Sequence, residues 1–186
     1  MKISILLPYK ENYTKNHAGA VSIFVNSVNR YSKFKSYINV YGNTEFKNIL
    51  SKNYTNIPYE KKLFQSSSKT YVKNFIDLEK KRNSDIIEIH NRPSYINFFK
   101  NLKNRKFVFY FHNDPLSMNG SIKIKDWFNL LNFCDKIIFN SKWSQKRFFI
   151  DLPNEQLLLN KSAVCYQSSS KVKINFKKKE KIITFV

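Results

Sequence analysis

The sequence predicts an α/β domain built on a doubly wound parallel sheet, and two observations support that prediction. Short apolar runs such as Ile3 to Leu7 and Lys106 to Phe111 are nearly continuous, as in strands that are buried on both faces. Between such runs lie segments whose apolar residues recur every three or four positions, which is the spacing of amphipathic helices. Strands and helices therefore alternate along the chain, and right-handed connections between them produce a parallel sheet covered by helices on both faces.

The chain begins with a strand, a loop and a helix. After the strand Ile3 to Leu7 and a polar loop, the segment Gly19 to Tyr31 has the apolar spacing of a helix. A second strand is predicted at Tyr37 to Tyr41, and a helix is expected over Thr44 to Lys52. Residues 57 to 68 show no clear pattern.

The rest of the domain repeats units of one strand and one helix with short connections. Serine is a preferred residue at the start of a helix, and proline is tolerated in the first helical position. These signals and the apolar spacing predict helix Lys69 to Lys80, strand Ile86 to Ile89, a helix starting at Pro93, strand Lys106 to Phe111, a helix around Trp127, strand Lys136 to Phe139, helix Ser141 to Ile150 and strand Ala163 to Tyr166.

The chain is strongly basic, with 33 Lys and Arg against 13 Asp and Glu and a formal net charge of +20. A charge of this size points to anionic partners, of which nucleic acid and anionic lipid are the obvious ones. Nearly all the basic residues are Lys, however, and they are spread along the whole length. Proteins that recognise nucleic acid favour Arg and gather it on one face, so we expect no specific nucleic-acid partner.

The sequence gives no indication of a metal site, a disulfide or a membrane span. Cys134 and Cys165 form no CxxC motif and have no histidine close by in sequence. The apolar run at the amino terminus is too short for a signal peptide, and no run approaches the roughly 20 residues of a membrane helix. We expect a cytoplasmic protein, with peripheral contact at the inner face of the cell membrane as an option.

Polar residues that follow the predicted strands are the candidates for chemistry, because ligands of α/β sheets bind beyond the carboxyl ends of the strands. His90 ends one strand and His112 ends the next. A single histidine is more often a core or capping residue, but two at neighbouring strand ends favour a functional role for His112. Arg92 is expected either to bind a phosphate or to form a surface ion pair. Gly19 is expected either to let a phosphate approach a helix N-terminus or to lie in an ordinary turn.

The composition changes after Tyr166. Three serines lead into a basic segment, residues 171 to 181. The apolar run Ile182 to Val186 follows this segment. We expect a domain over residues 1 to 170, a linker over 171 to 180, and the first strand of a second domain over 181 to 186. The basic segment is expected to be solvated, although its charge also suits an anionic membrane surface.

Several of these motifs match one known family in order and spacing. They are the strand Ile3 to Pro8, the loop with Gly19, the segment Asp85-Ile86-Ile87-Glu88-Ile89-His90-Asn91-Arg92-Pro93, the strand ending in His112, the segment Cys134 to Ser141, and Lys181 to Val186. Together they resemble the amino-terminal, Rossmann-like domain of family-4 retaining glycosyltransferases of the GT-B fold. The chain departs from that family at Gly19-Ala20, where a glycine pair is common, and at Tyr166-Gln167-Ser168, where Asn-Gly is usual.

The resemblance implies the transfer of a hexose, with retention, from a nucleotide diphosphate sugar to a saccharide or lipid-linked acceptor in cell-envelope polysaccharide assembly. It implies no metal or other cofactor. The donor is held mainly by a C-terminal domain that this sequence lacks, so the chain alone is expected to be inactive. By the same resemblance, His112 is the candidate catalytic residue, and the candidate donor- or acceptor-binding residues are Gly19, Ala20, His90, Asn91, Arg92, Asn113 and Ser141.

Two other functions are compatible with the sequence. One is a non-catalytic, basic, Rossmann-like module that binds nucleic acid or an anionic membrane, and the other is a GT-B-shaped enzyme such as an epimerase. If the chain is one half of a glycosyltransferase, the edge bearing Gly19, His90 and His112 is expected to be a shallow open half-cleft.

Overall fold

Seven parallel strands form one sheet in the computed structural model, which describes residues 1–58, 66–150, 152 and 160–167. The order of the strands is β3-β2-β1-β4-β5-β6-β7. Their bounds are β1 Ile3–Leu6, β2 Ile38–Gly42, β3 Tyr54–Asn56, β4 Ile86–His90, β5 Lys106–Phe111, β6 Lys136–Phe139 and β7 Ser162–Val164. The predicted α/β, Rossmann-like doubly wound sheet is confirmed.

Helices connect the strands and cover both faces of the sheet. The α-helices are α1 Ala20–Tyr31, α2 Ser67–Arg82, α3 Ile124–Phe133 and α4 Lys142–Phe149, and 3₁₀ helices span Pro93–Phe98 and Pro115–Ser117. The helix predicted to begin at Pro93 is therefore present in its tighter 3₁₀ form. In the described residues, every helix is too short or too polar to span a bilayer.

Alternation along the strands divides the core into two layers. On one face, Ile5 of β1 and Val40 of β2 pack with Phe24 of α1. On the other face, a larger cluster built from α2, α3, α4 and the first 3₁₀ helix packs on residues such as Ile87 and Phe109. Since side chains alternate between the faces of a strand, Glu88 and His90 lie on the α1 face.

The strand order reverses at β1, which lies between β2 and β4. The chain moves outward in one direction from β1 to β2 and β3, then crosses to the other side of β1 to form β4 and the strands that follow. In sheets of this kind the crevice beyond the carboxyl ends of the strands, at the point of reversal, is where ligands bind. The end of β4, with His90, lies at that point.

A buried polar network closes the opposite, amino edge of the sheet. Glu79 is fully buried and accepts hydrogen bonds from Ser4 Oγ at 2.6 Å and from the backbone N–H of Ser84 at 2.7 Å. Arg105 Nε lies 3.7 Å from Glu79 Oε1, with both side chains almost inaccessible. This network fixes the end of α2 to β1 and to the start of β4, far from the carboxyl edge.

The helix expected over Thr44 to Lys52 is wrong. Thr44 Oγ1 accepts from the N–H of Phe46 at 3.2 Å and donates to Asn12 at 2.9 Å, so its side chain forms a local turn in place of a helix start. Ile49 then makes an isolated antiparallel bridge to Thr14. The short strand β3, which follows this segment, was not among the predicted elements.

Two predictions fall on residues outside the described ranges. These are the basic linker over residues 171 to 180 and the strand over 181 to 186. The described part of the chain ends at Gln167, three residues after β7.

Candidate functional site

Two neighbouring strands bring His90 and His112 into contact. His90 is the last residue of β4 and is in register with Tyr110 of β5, so His112 follows β5 directly on the same face. His90 Nδ1 and His112 Nε2 lie 2.7 Å apart, which is a hydrogen bond between two imidazole rings. His90 is completely buried, and His112 is 8% exposed.

The histidine pair is extended at both ends into a chain of four side chains. Glu88 Oε1 lies 2.6 Å from His90 Nε2. At the other end, Gln167 Nε2 lies 2.6 Å from His112 Nδ1. The chain therefore runs Glu88, His90, His112, Gln167, and all four ring nitrogens of the two histidines have partners.

Aromatic rings surround His112 on the α1 face. The ring of Tyr110 stacks on both histidines, with centroid distances of 5.4 Å to His90 and 4.4 Å to His112. Phe24 of α1 meets the edge of His112 at 5.2 Å. Tyr110 also donates its hydroxyl to the carbonyl of Cys165 at 2.6 Å, which ties the end of β7 to this cluster.

This enclosure sets the protonation state of His112. Burial and, to a smaller extent, the neighbouring His90 together lower the pKa of His112 to about 3. His112 is consequently neutral across the physiological pH range. A neutral imidazole donates one hydrogen bond and accepts one, so it suits a hydroxyl group better than a phosphate.

Two asparagine side chains hold the backbone of His112 in place. Asn91 Oδ1 accepts from the N–H of His112 at 3.3 Å, and Asn140 Nδ2 donates to its carbonyl at 2.6 Å. Asn91 adopts a left-handed conformation with φ of 51°, a region that asparagine tolerates better than most residues. Its backbone N–H still bonds to Tyr110, so the chain turns away from the sheet only after this contact.

An open cavity of about 760 Å³ adjoins the histidine pair on the side of Asn91. The described residues that line it include the start of α2 with Ser66, Ser68 and Lys69, and the exit of β4 with Asn91 and Arg92. Lys69 and Arg92 are the only charged residues in this described lining, so the cavity is electropositive. Its volume falls in the usual range for small-molecule sites.

Gly120 shapes one wall of this cavity. Its φ of 92° is a conformation that residues with a Cβ rarely adopt, and a Cβ there would lie 2.5 Å from the backbone nitrogen of Ser94. The close approach holds the loop with Met118 and Asn119 against the first 3₁₀ helix, opposite Arg92.

The N-terminus of α1 is occupied by a carboxylate of the chain itself. Glu11 Oε1 accepts from the N–H of Ser22 at 3.0 Å, and a Cβ at Gly19 would collide with the same carboxylate. The position that the sequence predicts for a phosphate, at Gly19 and Ala20, therefore holds an anion in the form of Glu11.

The structure unites some of the predicted site residues and separates others. His90, Asn91 and His112 form one cluster, and Arg92 lies in the adjoining cavity. Asn113 is exposed, and Ser141 caps α4 by accepting from the N–H of Ser144 at 3.1 Å. Because His90 and His112 are buried, the expected open half-cleft at these two residues is wrong, and the open surface lies at Asn91 and Arg92 instead.

Sequence reasoning missed Glu88, Gln167 and the ion pair of Asp114 with Arg147. The signal for Glu88 was present, since a residue two positions before His90 on a strand shares its face. Gln167 lies three residues after β7, and Arg147 Nε lies 3.0 Å from both carboxylate oxygens of Asp114. No group of three or more His, Cys, Asp and Glu that could hold a metal ion occurs in the described ranges.

No protein-family model matches the sequence, and no curated protein matches it. Solved structures of HepE from Anabaena share the fold. The complex of HepE with UDP and glucose gives a TM-score of 0.60 at 15% identity, covering 91% of this chain and 45% of that chain. The complexes with UDP and with UDP-glucose give TM-scores of 0.59 and 0.57 at 15% and 16% identity, each covering 91% of this chain and 44% of that chain. The chain thus spans less than half the length of HepE.

Proposed function

We propose that this chain is the acceptor-side domain of a glycosyltransferase that moves a hexose, with retention, from a nucleotide diphosphate sugar to a saccharide or lipid-linked acceptor. The observation that carries the proposal is the hydrogen-bonded pair of His90 and His112, which lies at the carboxyl edge of the sheet, next to the strand-order reversal. Ligands bind at this edge in α/β sheets of this kind.

The comparison with HepE supports a nucleotide sugar as the donor. HepE has been solved with UDP, with UDP and glucose, and with UDP-glucose, and its fold matches 91% of this chain. The proposed reaction also needs positive charge to stabilise the leaving diphosphate. Since the chain spans less than half of HepE, we assign that charge to a second, nucleotide-binding domain that acts together with this one.

The chemistry of His112 supports contact with the transferred hexose. Its pKa of about 3 keeps the ring neutral, and the aromatic rings around it exclude water. A neutral ring nitrogen at the end of a strand is suited to bind a sugar hydroxyl. Hydrogen bonds made in such a dry site discriminate strongly between ligands, because an unpaired partner there is penalised.

The electropositive cavity supports an acceptor that carries a negative charge. Lys69 and Arg92 supply the charge, and the hydroxyls of Ser66 and Ser68 supply hydrogen-bond donors at the start of α2. A sugar phosphate or the phosphate of a lipid-linked acceptor matches this combination. We further propose a cytoplasmic location with peripheral contact at the membrane, where lipid-linked acceptors of cell-envelope polysaccharides lie.

The proposal is tested by backbone amide NMR on the ¹⁵N-labelled 186-residue chain, titrated with UDP-glucose, glucose and UDP. We expect UDP-glucose and glucose to shift the amides of Asn91, His112 and Gln167. The variant His112→Gln is expected to weaken the response about tenfold, the equivalent of one hydrogen bond. His17→Gln is the matched control, because His17 is exposed and stacks on Phe46 away from the cluster. Unchanged amides at all three positions would contradict the proposal.

The second candidate function rests on the net charge of +20. A basic module for nucleic acid or membranes would bind single-stranded DNA or phosphatidylserine vesicles, and this binding would weaken steeply as salt rises from about 50 to about 200 mM. If the protein binds DNA or vesicles tightly and the titrations with UDP-glucose and glucose show no binding, the basic binding module is the favoured function.

A further inference from the structure

The hydrogen-bond chain from Glu88 to Gln167 has a direction, which the Glu88 end sets and the Gln167 amide follows. At one end, an ionised carboxylate only accepts hydrogen bonds, so His90 Nε2 must carry the proton that points to Glu88. A His90 ring that carries a single proton, on Nε2, has a lone pair on Nδ1. Nδ1 faces His112 Nε2 at 2.7 Å, so His112 must donate from Nε2.

The Gln167 end of the hydrogen-bond chain agrees with this direction. The amide nitrogen of Gln167 is a donor only, and it faces His112 Nδ1 at 2.6 Å. An unprotonated His112 Nδ1, with the ring proton on Nε2, accepts from this amide nitrogen. The reverse direction between the two rings would require an additional proton, on His90 or on Glu88, and the amide oxygen of Gln167 at His112 Nδ1.

We infer that Glu88 and His90 are positioning residues, which hold His112 in the tautomer that presents Nδ1 as a hydrogen-bond acceptor for a ligand hydroxyl. The inference rests on the proposed function and deepens it, because it specifies which atom of His112 meets the sugar and in which role. The ligand group is a hydroxyl that donates to Nδ1.

Gln167 marks the position of that hydroxyl. Of the four side chains in the chain of hydrogen bonds, Gln167 is the exposed one, whereas His90 is fully buried and His112 nearly so. An exposed amide is displaced at little penalty because water replaces its hydrogen bonds. A ligand hydroxyl can thus replace the Gln167 amide without disturbing the buried histidines.

The two buried histidines have little freedom to reverse the direction of the hydrogen-bond chain by themselves. The ring of Tyr110 stacks on both histidines, and the backbone of His112 is held by Asn91 and Asn140. Rotation of either ring would break a hydrogen bond in a site closed to water. The carboxylate of Glu88, with 24% of its side chain accessible, is the group at which the direction is set.

The test is the tautomer of each histidine, measured by long-range ¹H–¹⁵N NMR on ligand-free protein labelled with ¹⁵N-histidine. The chain has three histidines, so His17→Gln and His112→Gln assign all the signals. We expect both His90 and His112 to carry the proton on Nε2. A proton on His112 Nδ1 in the unmodified chain would overturn the inference.

The variant Glu88→Gln removes the directing charge with almost no change of shape. An amide at this position either accepts or donates, so we expect His112 to become a mixture of its two tautomers. Asp77→Asn, on the exposed face of α2, removes a carboxylate elsewhere and is expected to change neither histidine. Pure Nε2–H His112 in folded Glu88→Gln would also overturn the inference.

Gln167→Ala keeps the inference testable if Glu88→Gln fails to fold, because Gln167 is exposed. We expect the proton of His112 to stay on Nε2 and glucose to bind a few-fold more tightly, since no amide competes for Nδ1. A shift of the proton to Nδ1 in this variant would contradict the directing role of Glu88.

The tautomers and the sugar titration separate the two proposals. If the tautomers are as expected but glucose leaves the ¹⁵N signal of His112 Nδ1 unchanged, the role assigned to Glu88 is supported and the proposed function is contradicted. If glucose shifts the ring signals while the proton lies on Nδ1, the proposed function stands and the role assigned to Glu88 fails.

Discussion

His90 Nδ1 and His112 Nε2 lie 2.7 Å apart, so a hydrogen bond between two imidazole rings links the end of β4 to the residue that follows β5. Neither ring has significant access to water. A buried polar atom that loses its partner is penalised by about 1 to 3 kcal/mol. Replacing either histidine by an apolar residue therefore leaves the other ring unpaired, and the pair behaves as one unit.

The stability of the protein is expected to fall between pH 6.5 and about 3 because of His112. Below pH 6.5 the unfolded chain binds a proton at this histidine while the folded chain, with its lowered pKa, does not, so acid favours unfolding. The loss from this group amounts to about 2 kcal/mol at about pH 5. Urea unfolding at a series of pH values measures it.

The matched comparison for this pH dependence is His112→Gln. The variant lacks the titrating ring, so its free energy of unfolding is expected to change less with pH over the same interval. Parallel curves for the two proteins would show that His112 titrates normally in the folded state.

Glu11 is expected to stabilise α1 and to compete with anionic ligands. Its carboxylate accepts from the N–H of Ser22 at the positive end of the helix. Glu11→Ala should lower the free energy of unfolding by about 1 kcal/mol. The same change should strengthen binding of UDP or inorganic phosphate at this helix end, measured by calorimetry, if the site accepts an external anion. Glu45→Ala removes one negative charge elsewhere and is the control for the effect of net charge on anion binding.

Glu79 is expected to affect the stability of the protein but not the histidine pair. Glu79→Ala leaves Arg105 without its buried counter-ion and Ser4 without its acceptor, at a penalty of about 3 kcal/mol. Urea unfolding measures the loss. Because the network lies at the amino edge of the sheet, the ring signals of His90 and His112 should not change. A change in those signals would show that the two edges of the sheet are coupled.

Arg92 is expected to select a phosphorylated sugar in the adjoining cavity. Glucose 6-phosphate should bind more tightly than glucose, and Arg92→Ala should reduce this preference by about tenfold, as expected for a charged hydrogen bond. Arg30→Ala removes the same charge from a different surface pocket and should retain the preference. Equal losses in both variants would indicate a general effect of charge.

The fold was predictable because its signals are local. Runs such as Ile86 to Ile89 are long and apolar enough to identify strands, and Ser141 occupies the cap position that it was predicted to occupy. The failure at Thr44 to Lys52 has a specific cause. The side chain of Thr44 bonds to Asn12, which is far away in sequence, and no local pattern shows such a contact.

The site was predictable only in part, for a related reason. Strand ends identify His90 and His112, because parallel strands bring their carboxyl ends to one edge. The sequence does not show that the two rings bond to each other or that Gln167, 55 residues further along, reaches the second ring. Burial of His112 also depends on Phe24 and Tyr110, which come from two different elements.

The most direct test of the proposed function is the ¹⁵N signal of His112 Nδ1 during titration with UDP-glucose and, separately, with UDP. If His112 binds the hexose of a nucleotide sugar, UDP-glucose shifts the Nδ1 signal and UDP at the same concentration does not. Equal responses to the two ligands, or none to UDP-glucose, would contradict the assignment of His112 to the sugar.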